Sequence, residues 1–187
     1  SIDLGGDSMN LPNKITVFRI LMIPFFVACM LIKEIPYNEF IAGAVFIIAA
    51  LSDLVDGKIA RRFNLVTNFG KFMDPLADKL LVQSALLCFV ANGLLPAWIA
   101  IVIMSREFII SGFRLVAADK GIVIAAGYLG KLKTVFQMVM SVMLIFHFSH
   151  PVWLVTEQIF IWGSLILTIV SLVDYFIKNK DVLKETK

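Results

Sequence analysis

Four aspartates carry the chemistry in this sequence: Asp53, Asp56, Asp74 and Asp78, spaced 3, 18 and 4 residues apart. At about 100° per helical residue, positions 53, 56, 57 and 60 share one stripe, with Arg61 at its edge. Gly70, Asp74 and Asp78 form a second stripe on the next helix. The connection between them is short, so the two helices are expected to run antiparallel as neighbours and bring four carboxylates to one depth. Four anions in a half-buried place repel one another and call for cations. An all-oxygen donor set with no His or Cys nearby suits a hard divalent ion, Mg²⁺ or Mn²⁺. Two such ions offset the four charges and leave positive field for a phosphate. Gly57, Ala60 and Gly70 lack bulk on the same stripes, so a phosphate-bearing ligand can approach the backbone. Arg61 can meet such a phosphate with two parallel hydrogen bonds. One isolated Asp near a helix end is ordinarily a solvated group. Four in this pattern are not.

The elements that must position these groups are membrane spans. Of 187 residues, 59% are hydrophobic and 17% charged, against about 25% charged in a soluble domain. A water-soluble enzyme or a nucleic-acid binder is thereby disfavoured, and no nucleic-acid partner is expected. With about 20 apolar residues per crossing, apolar runs near 14–33, 37–62, 70–92, 94–118, 131–149 and 152–177 predict six spans. Breaks fall at Lys33-Glu34-Ile35-Pro36, Asn92-Gly93, the segment from Asp119 to Gly130, and His150-Pro151. The expected fold is an all-α integral membrane protein, a six-helix bundle with a polar cavity facing the cytoplasm. Residues 1–8, SIDLGGDS, read as the remnant of an expression tag, and 9–187 as one membrane catalytic domain. Cys29 and Cys88 both lie in apolar runs and suggest no disulfide framework.

Orientation follows from the basic residues. Sixteen of the seventeen Lys and Arg fall at one end of the expected bundle, and only Lys33 at the other. The positive-inside rule then puts both termini and the 62–70 and 119–130 loops in the cytoplasm of a bacterial cell membrane. The uncharged run of the second span, Phe40 to Ser52, is thirteen residues and too short to cross alone. Its remaining length includes Asp53 and Asp56. Charges inside a span are costly, so these groups are expected to face a wet cavity.

The pattern Asp53-x-x-Asp56-Gly57-x-x-Ala60-Arg61, then Gly70-x-x-x-Asp74-x-x-x-Asp78, resembles the full signature of the CDP-alcohol phosphatidyltransferase family. The resemblance implies a six-helix membrane bundle, often a homodimer, that takes CDP-diacylglycerol from among the membrane lipids. It implies that Asp53, Asp56 and Asp74 hold metal, and that Asp78 completes the site and acts as general base. It also implies that Gly57, Ala60, Arg61 and Gly70 line the CDP pocket. Asn10-Leu11-Pro12-Asn13-Lys14-Ile15-Thr16-Val17-Phe18-Arg19 resembles the amino end of bacterial family members that use glycerol 3-phosphate. Arg19 joins the CDP-binding candidates on that basis. Asn13 and Thr16 either contact nucleotide or cap the first helix.

The segments Arg106-Glu107-Phe108, Ser111-Gly112-Phe113-Arg114, Gly130-Lys131-Leu132-Lys133-Thr134 and Gln137 resemble the same members. The implied products are phosphatidylglycerol phosphate and CMP. A dianionic acceptor needs its own cationic pocket, for which Arg106, Arg114 and Lys131 are the expected residues, with Lys133 a weaker candidate. Glu107 is expected to pair with Arg106 or another cation. His147 and His150 lie at the far end from the carboxylates. Rival acceptors within the family belong to cardiolipin synthases and phosphatidylinositol-phosphate synthases. Outside it, a prenyltransferase needs more helices and more widely separated Asp clusters, and a cation transporter would show a repeated half.

Overall fold

The computed structural model describes the backbone of residues 11–62, 68–119, 121–122, 124–125 and 127–180, and side chains within these except at 11–14, 53–62, 68–75 and 78. The described residues form six α-helices and no strand: α1 (Leu11–Leu31), α2 (Asn38–Arg62), α3 (Asn68–Ala91), α4 (Ala97–Asp119), α5 (Tyr128–Phe146) and α6 (Pro151–Lys178). Each expected span corresponds to one helix. The differences are at the ends: α4 starts after Pro96, and α5 starts at Tyr128, so Gly130 lies inside a helix rather than in the preceding loop.

Local chemistry explains the ends. After α3, Gly93 takes φ +73°, and the Leu94 N–H donates to the Phe89 carbonyl at 2.8 Å. The same device follows α4, with Gly121 at φ +72° and Ile122 N–H donating to Ala117 O at 2.8 Å. Only a residue without Cβ adopts this left-handed cap cheaply. Pro151 opens α6 at its first turn, where a missing N–H costs nothing. At the other end of α6 the Asn179 side-chain amide donates to Tyr175 O at 2.8 Å.

Two compact units divide between Cys88 and Phe89. In the first, α1 packs along α2. The contact face of α2 is Ala42, Val45, Phe46 and Ala49, all buried at helical spacing. Phe26 of α1 lies 5.7 Å from Phe46, ring centre to ring centre. In the second unit α6 packs against both α5 and α4. Ile110, Phe113 and Ala117 of α4 form a cluster with Tyr175, whose ring meets Phe113 edge-on at 5.4 Å.

The opposite faces of these helices are apolar too. Trp98, Ile101, Phe108, Leu115, Ile159 and Ile166 are all more than half exposed. Surfaces this apolar belong against lipid rather than water. Among the described residues α5 and α6 are long and apolar enough to cross a membrane. Shorter apolar stretches occupy Ile15–Leu31, Asn38–Ser52 and Lys79–Ala91.

Candidate active site

Asp53, Asp56, Gly57, Ala60 and Arg61 all fall in the carboxyl-terminal part of α2, and Gly70, Asp74 and Asp78 in the first three turns of α3. Both stripes are therefore helical, the condition on which their alignment depends. Successive members of the second stripe are separated by one turn, a rise of about 6 Å. The side chains of these eight residues lie outside the described set, as does the connection 63–67. Among the described side chains no three His, Cys, Asp or Glu gather as a metal site would require.

The apolar half of α2 sets the register of the carboxylates. Ala42, Val45, Phe46 and Ala49 fix one face against α1, and Ala49 precedes Asp53 by one turn. Arg19 of α1 is fully buried, and its Nε donates to the Ala49 carbonyl at 3.2 Å. A cation is thus fastened to α2 one turn before the first carboxylate. Thr16, one turn earlier on α1, is also fully buried. Neither Asn13 nor Thr16 can cap α1. The helix already includes Leu11, whereas a capping side chain must precede the first helical residue. The Asn13 side chain is outside the described set.

The four acceptor candidates separate into different environments. Arg106 is buried on α4 and Lys133 on α5. Both meet the Glu107 carboxylate: Arg106 Nη1 lies 2.9 Å and Lys133 Nζ 2.5 Å from Glu107 Oε1. Arg106 Nη2 donates to Ser171 Oγ of α6 at 3.2 Å. Three helices thereby meet at one polar point. Arg114 is exposed and lies over the Tyr175 ring at 5.9 Å, in cation–π range. Lys131 is exposed. Thus the sequence candidates Arg106 and Lys133 come together, while Arg114 and Lys131 do not join that point. The expected pairing of Glu107 with Arg106 is present, with Lys133 as the second cation.

Several participants were not singled out from the sequence. Ser171 accepts from Arg106 while donating to the Thr168 carbonyl at 3.1 Å. Gln137, already marked by the sequence resemblance, is buried one turn beyond Lys133 on α5. Ser164, Thr168, Ser171 and Tyr175 are buried along one face of α6. Their spacing of four, three and four was the available signal: a polar stripe inside an apolar helix. At the end of α5 near the α6 start, His147 Nδ1 lies 3.0 Å from Glu157 Oε2. That pair gives His147 a structural partner.

Comparison with known proteins points the same way as the aspartate pattern. The sequence profile described as CDP-alcohol phosphatidyltransferase matches residues 9–170. The chain is 47% identical over 189 aligned positions to a Bacillus subtilis protein named CDP-diacylglycerol–glycerol-3-phosphate 3-phosphatidyltransferase, covering 94% of this chain and 97% of that protein. It is 34% identical to a protein of the same name from Rickettsia bellii, covering 89% and 93%. A Mycobacterium tuberculosis protein named probable phosphatidylglycerophosphate synthase is also 34% identical, covering 89% of this chain and 79% of its own length. Matches spanning nearly the whole chain, with the aspartates at the signature positions on two helices, make this protein a member of the CDP-alcohol phosphatidyltransferase family.

Proposed function

We propose that the protein transfers the phosphatidyl group of CDP-diacylglycerol to glycerol 3-phosphate, releasing CMP and phosphatidylglycerol phosphate. The observation that carries this reading is the signature itself, with its two aspartate-bearing stripes on the helical backbones of α2 and α3. In this reading all six helices cross the membrane as one domain, both termini lie in the cytoplasm, and the aspartates line a cavity open to that side. The protein works as a homodimer.

The donor set fits a hard divalent ion, being four carboxylates with neither imidazole nor thiolate in either stripe. Asp53, Asp56 and Asp74 would hold it, with Asp78 completing the site, and two ions match the charge. When bound, Mg²⁺ or Mn²⁺ supplies neutralisation of the diphosphate and of the departing CMP. The remaining chemistry belongs to the side chains. Asp78 accepts the proton of the acceptor hydroxyl as its oxygen attacks phosphorus. Gly57, Ala60 and Gly70 leave room for the nucleotide, and Arg61, Arg19, Thr16 and Asn13 contact it. Arg106, Arg114, Lys131 and Lys133 supply positive charge for the phosphate of the acceptor, and the apolar helix faces let the acyl chains remain in the bilayer.

The test is CMP release by the purified protein from CDP-diacylglycerol, with glycerol 3-phosphate, inositol phosphate, serine and phosphatidylglycerol compared as acceptors. Turnover is expected with glycerol 3-phosphate, to be abolished by chelation and restored by Mg²⁺ or Mn²⁺. Asp53→Asn, Asp56→Asn and Asp74→Asn should each remove most turnover without loss of fold. Full activity in any of them refutes the metal assignment, and preference for another acceptor refutes the product.

A further inference from the structure

We infer that Glu107 is a positioning residue for the acceptor: its carboxylate gathers Arg106 of α4 and Lys133 of α5 so that a phosphate monoester meets them as a fixed pair. The inference rests on the reading above, in which the acceptor carries a phosphate, and identifies what organises its pocket.

Three contacts carry the argument. One carboxylate oxygen, Glu107 Oε1, serves both cations, at 2.9 Å from Arg106 Nη1 and 2.5 Å from Lys133 Nζ. The second guanidinium arm is held by Ser171 Oγ at 3.2 Å. Arg106 is thus clamped from two sides, by its own helix and by α6, while Lys133 is drawn in from α5. Two flexible cations are converted into a rigid array, which lowers the ordering cost that an arriving anion would otherwise bear.

Among the described residues, Arg106 Nε is buried with no hydrogen-bond partner. An N–H in that position is costly unless something accepts from it. A phosphate oxygen is a suitable acceptor, because it pairs with guanidinium edges in a fixed geometry. Arg106 and Lys133 are 9% and 3% exposed, whereas the Glu107 side chain is 22% exposed. Gly130 lies beside the cluster, where an added Cβ would stand 3.5 Å from Arg106 Nη2.

The experiment is steady-state kinetics of the full-length protein in micelles or liposomes, with each substrate varied separately, for wild type, Glu107→Gln, Glu107→Asp and Ser171→Ala. A charge-assisted hydrogen bond corresponds to roughly ten- to hundredfold in binding. Glu107→Gln is accordingly expected to raise the KM for glycerol 3-phosphate at least about tenfold. The CDP-diacylglycerol KM should stay within about twofold, well below the change from losing a charged contact. Glu107→Asp, which keeps the charge, should recover part of the loss, and Ser171→Ala should raise the same KM less. Inorganic phosphate should inhibit competitively against glycerol 3-phosphate, more weakly in Glu107→Gln. An unchanged acceptor KM overturns the inference. Equal rises for both substrates do so too, marking a purely structural ion pair. A lowered acceptor KM overturns it by showing that the carboxylate competes with phosphate. If Glu107→Gln does not fold, Ser171→Ala and Glu107→Asp decide by the same split. Wild type that releases CMP only with another acceptor refutes the reading itself, independently of Glu107.

Discussion

Gly163 tests the packing of α5 on α6. A Cβ built on this residue would lie 2.8 Å from Phe136 Cε1 and 2.9 Å from Cδ1, where carbon atoms prefer about 3.5–4.0 Å. Relief requires the Phe136 ring to move by roughly 0.6–1.2 Å, the difference from that preferred range. The ring is not free to do so without cost, since it packs on Phe160 at 5.2 Å between centres. Gly163→Ala therefore brings two opposing terms. Helix propensity favours Ala over Gly by about 1 kcal/mol, whereas overpacking costs about 1–3 kcal/mol. The net expectation is destabilisation by about 1 kcal/mol. In a Phe136→Leu background the ring edge is gone and the same substitution should become neutral or stabilising, giving a coupling of about 1–2 kcal/mol. The assay is equilibrium unfolding of the four proteins in mixed micelles, with SDS as denaturant and helical circular dichroism as readout. If Gly163→Ala is more stable than the parent, or the two changes add to within about 0.5 kcal/mol, the close approach of these helices is not what Gly163 provides.

Asp78→Asn should keep donor binding yet transfer about 10²–10⁴-fold more slowly, read as CMP release beside CDP-diacylglycerol binding; loss of binding equal to that of Asp53→Asn would leave it a metal ligand only. Arg19→Met, which removes the buried bond to the Ala49 carbonyl, should cost about 1.5–3 kcal/mol of stability and raise the donor KM. Lys133→Gln should lower stability by a similar 1.5–3 kcal/mol as its bond to Glu107 is lost, and Lys131→Gln should stay within about 0.5 kcal/mol. Both comparisons are made by unfolding in the same micelles.

The helices were legible because apolar runs and their punctuation are local. Lys33 to Pro36, Asn92-Gly93 and His150-Pro151 each separate two helices, and Gly93 is required by the left-handed turn that follows α3. Gly130 misled, since a glycine near a helix start does not end the helix there. The cationic pocket was legible in residue type and only partly in arrangement. Lys131 and Lys133 are two apart, about 200° around a helix. Which of them turns inward depends on the face that α5 offers to its neighbours, and no local pattern states that. Glu107 and Lys133 are 26 residues apart, so their bond leaves no short-range trace. Arg106-Glu107 could be read because adjacent opposite charges within an apolar helix must be paired. The buried polar face of α6 was present as a period but carried few charges to draw notice.

The short link between α5 and α6 bears on how the chain enters a bilayer during synthesis. Only four residues, 147–150, separate the two helices, a reach of roughly 14 Å when extended. That is less than half of a hydrocarbon layer of about 30 Å, so the link cannot cross while one helix stays behind. In the six-span reading the two helices integrate together, as one hairpin. Among the described residues they are also the pair whose apolar length suffices for partitioning. In the six-span reading α2, with Asp53 and Asp56 in its length, leaves the ribosome well before them, and each charge near a span centre costs about 2.5–3.5 kcal/mol on insertion scales. The segments that carry the aspartates thus reach the insertion machinery before the α5–α6 hairpin does. A nascent chain stalled before Tyr128 has exposed its aspartates to the membrane without the hairpin having been made.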